Sequence, residues 1–193
     1  MFDGWLAHRS RDNGYFAFTR PEVAQAGKTS SFKLHVSVDE KTLPQAYEAL
    51  RPLLFADSSP FGAWKLRNKV DYDDSKGYES ERARQTVQRA TVGMQIVLHL
   101  LPDTDEDFSD GRVKKMASSV QAIEKALSGI PVGKVPESDI SLGGHVSYRS
   151  EAKDTHQNIP GPHRADQRDL LPAASDAMRQ EPLYQRLDMA LRR

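Results

Sequence analysis

Lys33 and His35 stand two residues apart in Phe32-Lys33-Leu34-His35-Val36-Ser37-Val38. On a strand, alternate side chains share a face, so a cation and a titratable imidazole lie about 7 Å apart on one side. Phe32, Leu34, Val36 and Val38 take the other side. A cation beside a proton donor suits a site that holds an anion and protonates it as it leaves. Two further segments repeat the pattern. In Trp64-Lys65-Leu66-Arg67 the cations alternate with apolar residues. In Met94-Gln95-Ile96-Val97-Leu98-His99-Leu100, Gln95, Val97 and His99 share the face opposite Met94, Ile96, Leu98 and Leu100. Paired in one antiparallel sheet, the three strands bring their polar groups to one surface, with Arg89 just before the third and Arg149 after Ser147-Tyr148. Such a surface binds a compact anion, phosphate above all, through charge-assisted hydrogen bonds. Three half-exposed strands with solvated charges give the same alternation without any site.

Other chemistries are poorly supplied. Cysteine is absent from the 193 residues, which excludes disulfides, thiolate metal sites and a Cys nucleophile. The six histidines show no HExxH or other close metal-ligating pair. There is no G-x-S-x-G elbow and no dinucleotide-binding glycine pattern. Gly27-Lys28-Thr29-Ser30 lacks phosphate-loop spacing and precedes a strand rather than a helix. Lys+Arg and Asp+Glu both number 27, so no global field points to nucleic acid or a membrane surface. No apolar run reaches membrane-spanning length.

The elements that must position these residues follow from periodicity. Tyr15-Phe16-Ala17-Phe18 reads as a short strand ended by Pro21. Leu43, Ala46, Tyr47, Leu50 and Leu54 recur at helical spacing, with Pro44 in the first turn and Pro52 ending or kinking the last. Val113, Met116, Val120, Ile123 and Leu127 form the clearest helical stripe, capped by Ser109 or Asp110 and stopped at Gly129. A C-terminal helix carries Leu183, Leu187 and Leu191. Residues 71–88 read as an exposed charged loop or short helix, and 150–172 as a long polar loop of the kind that forms mobile lids. The expected fold is α+β: a single domain over 1–193, with a mainly antiparallel twisted sheet, helices 42–54 and 112–128 on one face and the site on the other.

Several segments together resemble the bacterial phosphothreonine lyases of the OspF/SpvC type III effector family. They are Lys33-Leu34-His35-Val36-Ser37-Val38, Leu43-Pro44-Gln45-Ala46-Tyr47 with Ala49-Leu50, Trp64-Lys65, Arg89 with Gly93 and Gln95, Pro136-Glu137-Ser138-Asp139 and Ser147-Tyr148-Arg149. They fall in family order and span roughly residues 32–151. The resemblance implies a β-elimination that needs no metal or other cofactor. Lys65 matches the general base that removes the α-proton of the phosphorylated residue. His35 matches the general acid that protonates the departing phosphate oxygen. Lys33, Arg89 and Arg149 match phosphate-binding positions, and Arg20 matches a further one. Asp139 is placed to orient the cations. Clustered cations and partial burial favour the neutral amine that the base must be. The chain departs from the family pattern at Ala63, where a Lys is usual and where Arg67 or Lys69 could substitute. It departs again at His99, where a strand Tyr is usual. The longer segment after Lys65 leaves Arg82 and Arg84 as alternatives to Arg89.

Related lyases act in lanthipeptide biosynthesis, converting phosphorylated Ser or Thr to dehydro residues. The segment before Lys33 shows no secretion signal and no kinase-docking motif. That favours a cytoplasmic bacterial enzyme of lanthipeptide-type peptide maturation acting after a partner kinase. The alternatives are an effector, secreted into a host cell, that removes phosphate irreversibly from MAP kinases, and a non-catalytic phosphopeptide-binding module. On each reading the partner is a phosphorylated peptide or protein, with no nucleic acid and no membrane.

Overall fold

The computed structural model describes residues 4–9, 15–26, 32–67, 93–101, 108–136, 139–150 and 176–192. Among them, seven strands form one sheet: β1 (Leu6–Arg9), β2 (Tyr15–Thr19), β3 (Phe32–Val36), β4 (Phe61–Arg67), β5 (Ile96–Leu100), β6 (Ile140–Ser141) and β7 (Val146–Ser150). Their spatial order is β1-β2-β4-β5-β3-β7-β6, and each neighbouring pair is antiparallel. The helices are α1 (Pro21–Ala26), α2 (Leu43–Leu54), α3 (Asp110–Ala126) and α4 (Pro182–Leu191).

Alternation divides the sheet into two faces. Phe18, Trp64, Leu98, Leu34, Tyr148 and Ile140 lie opposite one another in register across six strands. All are buried, and they share one core with α2, α3 and α4. Phe18 stacks on Trp64 at 4.1 Å between ring centroids, and Phe55 meets both edge-on. Residues one step along each strand face the opposite side. A bulge in β4 keeps the faces separate. Phe61 pairs with Leu100 but Ala63 pairs with His99, so the extra residue Gly62 turns Phe61 into the core while Ala63, Lys65 and Arg67 face away.

The helices follow their stripes. In α3 the Ser109 side chain accepts from the Arg112 N–H, and Val113, Met116, Val120, Ile123 and Leu127 are all buried. Leu127 closes the helix with φ −95° and ψ 5°. Gly129 is therefore not the residue that stops it, and among the described glycines only Gly4 has positive φ. α2 runs through Pro52 to Leu54, because a proline in the last turn removes one hydrogen bond at a point where the helix is ending. Pro21 opens α1 rather than merely ending β2, its fixed φ suiting a first helical position. β1, β6, β7 and α1 are not foreseen by the sequence pattern; all four are short, and β1 and β6 are the sheet edges. Leu183 and Leu187 of α4 are buried, and α4 lies along α3.

The α+β class and the placement of helices on one face hold as expected. The charged stretch 71–88 and all of the polar stretch 150–172 except Ser150 lie outside the described residues; Ser150 is not loop but the buried last residue of β7. No helix among the described residues is long and apolar enough to cross a membrane.

Candidate active site

The face turned away from the helices carries two polar rows. Lys65, Val97, His35 and Ser147 lie opposite one another across β4, β5, β3 and β7. The adjacent row is Ala63, His99, Lys33 and Arg149 on the same four strands. β3 supplies Lys33 and His35 from the middle of this surface because β5 and β7, both later in the chain, pair on either side of it.

His35 is held by Asp139. Its Nδ1 lies 2.6 Å from Asp139 Oδ2. Ser147 donates its hydroxyl to the same oxygen at 3.1 Å, and Arg149 donates to Oδ1 at 3.4 Å. His35, Asp139, Ser147 and Arg149 are all buried. A carboxylate only accepts, so Nδ1 carries a proton and Nε2 is the ring atom left to serve a substrate. Removing one partner of such a buried cluster costs about 3–5 kcal/mol, because the others keep their charges without compensation. Asp139 comes from the turn before β6, where its N–H bonds to the Pro136 carbonyl at 3.0 Å.

The segments on either side of Asp139 are braced as well. Ser37 donates its hydroxyl to the Gly93 carbonyl. Gly93 is pressed against residues 134–136, and a Cβ there would strike the Lys134 carbonyl oxygen and lie 2.7 Å from Pro136 Cδ. On the far side of β7, Glu124 of α3 accepts from the backbone N–H groups of His145 and Val146, each at 2.9 Å. The His145 ring lies between Glu124 Oε2 and the Ile130 carbonyl, each at 2.9 Å.

On the other flank, Lys65 is half-buried beside Ala17 of β2. Two strand spacings, about 10 Å, separate its backbone from that of His35. Val97 is the residue between. Tyr15, paired with Arg67 on β2 and β4, donates its hydroxyl to the Met94 carbonyl at 2.9 Å and packs on Val97.

The structure therefore brings together Lys33, His35, Lys65, His99, Asp139 and Arg149 on one face. Arg67 shares that face but lies two residues beyond Lys65, where its Nη1 stands 3.5 Å from Glu40 Oε1. Arg20 does not join them. Its Nη2 donates to the carbonyls of Ala56, Asp57 and Ser59, each at 3.1 Å, and its guanidinium lies 5.2 Å from the Trp5 ring centroid. These partners follow α2 on the helix-bearing side, so Arg20 braces a turn rather than binding phosphate. Arg89, with Arg82, Arg84 and Lys69, lies outside the described residues. Ser147, Val97 and Tyr15 were not singled out from sequence. Strand parity with Arg149 points to Ser147, and parity with His99 puts Val97 on the same face, although neither reveals its neighbours; nothing local marks Tyr15. Among the described residues no three His, Asp or Glu side chains gather as a metal-holding cluster.

The chain is similar to known proteins in both sequence and fold. The chain is 30% identical over 181 residues to the MAPK phosphothreonine lyase of Salmonella typhimurium, covering 90% of this chain and 65% of that protein. It is 27% identical over 189 residues to the phosphothreonine lyase OspF of Shigella boydii, covering 95% of this chain and 69% of that one. The chain thus spans slightly under two thirds of the Salmonella relative. The fold matches the Chromobacterium violaceum VirA (SpvC) phosphothreonine lyase effector with a TM-score of 0.71 and 26% identity, over 97% of this chain and 78% of that one. The sequence pattern of OspF/SpvC matches residues 1–189, and the sheet carries Lys65, His35 and Arg149 on one surface, so this chain belongs to the OspF/SpvC family.

Proposed function

We propose that the protein is a carbon–oxygen lyase that eliminates phosphate from phosphothreonine or phosphoserine in a protein or peptide. The observation that carries this is the register: Lys65 and His35 lie in one row, separated by Val97 alone, with Lys33 and Arg149 in the next row.

The neutral Lys65 amine removes the α-proton. The released electron pair forms the Cα=Cβ bond, and the Cβ–O bond breaks. His35 delivers a proton from Nε2 to the departing phosphate oxygen, and Asp139 holds the ring through Nδ1 while it does so. Lys33 and Arg149 bind the phosphate and stabilise its charge as it leaves, with Arg89 assigned to the same task by resemblance. The products are dehydrobutyrine or dehydroalanine in the chain and inorganic phosphate. Each proton moves between the substrate and one side chain, onto Lys65 and off His35, so the step calls on no cofactor.

Two proteins the chain resembles are named for phosphothreonine lyase activity, one of them on MAP kinases. A third is called an effector. These names favour an effector acting on a phosphorylated MAP kinase in a host cell over the peptide maturation preferred from sequence, which none of the three supports.

Mass spectrometry after incubation with a phosphothreonine peptide tests the reaction. Loss of phosphoric acid is expected from the wild type, and none from Lys65→Ala or His35→Ala. Hydrolysis to free threonine, or binding with an unchanged mass, would instead mean a phosphatase or a binding module.

A further inference from the structure

Val97 is apolar in a row otherwise made of polar and small residues. It stands at the point where a substrate's reacting bond must lie. Elimination places the α-proton at Lys65 and the leaving oxygen at His35, so the Cα–Cβ bond spans the gap between them. Val97 occupies that gap in register, paired with Lys65 on one side and His35 on the other.

Val97 is not an isolated apolar residue. With Tyr15 and Met94 it forms a second apolar cluster, on the site face and apart from the main core. Both Val97 and Tyr15 are only 5% exposed. The Tyr15 hydroxyl is tied to the Met94 carbonyl at 2.9 Å, so the ring is fixed in place against Val97. The β-branched Val97 side chain is itself stiff about χ1. A rigid apolar side chain therefore lies in register between Lys65 and His35, where the lyase reading puts the carbon that carries the phosphate.

Resting on the lyase reading above, we infer that Val97, backed by Tyr15, determines specificity at the substrate β-carbon. Its methyl groups meet the β-methyl of phosphothreonine, which phosphoserine lacks. One methyl group in a formed apolar pocket discriminates by about tenfold or more. Polar neighbours bind the phosphate of both substrates alike, so the preference comes from this contact alone.

The test compares kcat/KM for two peptides that differ only in phosphothreonine or phosphoserine. The wild type should favour phosphothreonine by about tenfold or more. Val97→Ala should lower that ratio towards one by slowing phosphothreonine elimination while sparing phosphoserine. Val97→Thr keeps the shape and so guards against a folding failure; replacing one methyl by a hydroxyl, it should lower the ratio too. A general structural defect would slow both peptides together and leave the ratio unmoved. An unchanged ratio in folded variants that still eliminate would overturn the inference. No elimination by the wild type from either peptide would overturn the lyase reading itself.

Discussion

His35 Nδ1 lies 2.6 Å from Asp139 Oδ2, although 104 residues separate the two in sequence. The carboxylate fixes which ring nitrogen donates to it and which faces the reaction. Asp139→Asn leaves the shape but offers no charge to an imidazolium. The change should lower kcat for elimination by about a hundredfold with a smaller effect on KM. Steady-state kinetics on a phosphothreonine peptide will show it; an unaltered kcat would remove Asp139 from this role.

Arg20 and Arg149 should separate cleanly. Arg20 holds three backbone carbonyls on the helix side, whereas Arg149 lies beside Lys33. Arg149→Ala should raise KM for a phosphopeptide roughly tenfold or more, the scale of a lost charged hydrogen bond. Arg20→Ala should leave KM unchanged and cost about 1–3 kcal/mol of stability. Denaturation and kinetics on the same two variants give the answer, and a raised KM in the Arg20 variant would contradict its placement.

Gly93 is needed for close approach rather than for unusual dihedrals. Gly93→Ala should destabilise the protein by about 1–3 kcal/mol, because the new Cβ meets backbone and a proline ring that cannot yield easily. Activity should fall with it, since residues 134–136 lead into Asp139. Equal thermal midpoints for variant and wild type would show that the turn can shift freely.

Tyr148 faces the core, where its hydroxyl donates to Glu181 Oε2 at 2.7 Å. Burial first, and then the Glu181 carboxylate, push the phenol far above its ordinary value. A folded value above the unfolded one, about 10, gives stability that is complete below pH 10 and is lost as pH rises past it. Urea midpoints measured from pH 9 to pH 11 should fall more steeply for the wild type than for Tyr148→Phe. Near pH 8 the variant should be the weaker by about 1–3 kcal/mol, because Glu181 has lost its phenolic donor. Parallel curves for the two proteins would rule out this linkage.

Local pattern settled which way the side chains point. The period of two in Lys33-Leu34-His35 and in Lys65-Leu66-Arg67 assigned the two faces of β3 and β4, and the helical stripe from Val113 to Leu127 assigned the buried side of α3. Each follows from backbone geometry over a few neighbouring residues, with no reference to the rest of the chain. His35, Lys65, Arg149 and Asp139 were marked differently, by the resemblance of their segments to the OspF/SpvC family.

Which residues meet was decided only in three dimensions. Strand order is not sequence order, so nothing near residue 97 announces that Val97 will separate Lys65 from His35. The same holds for Asp139, which reaches His35 because β7 pairs with β3 on one side and with β6, the strand that Asp139 leads into, on the other. Arg20 is a cation like Arg149, yet one step of strand parity and the carbonyls after α2 commit it to the opposite side. Pairing between distant strands is set by register and by packing of the whole core, and neither is written in the periodicity of any single segment.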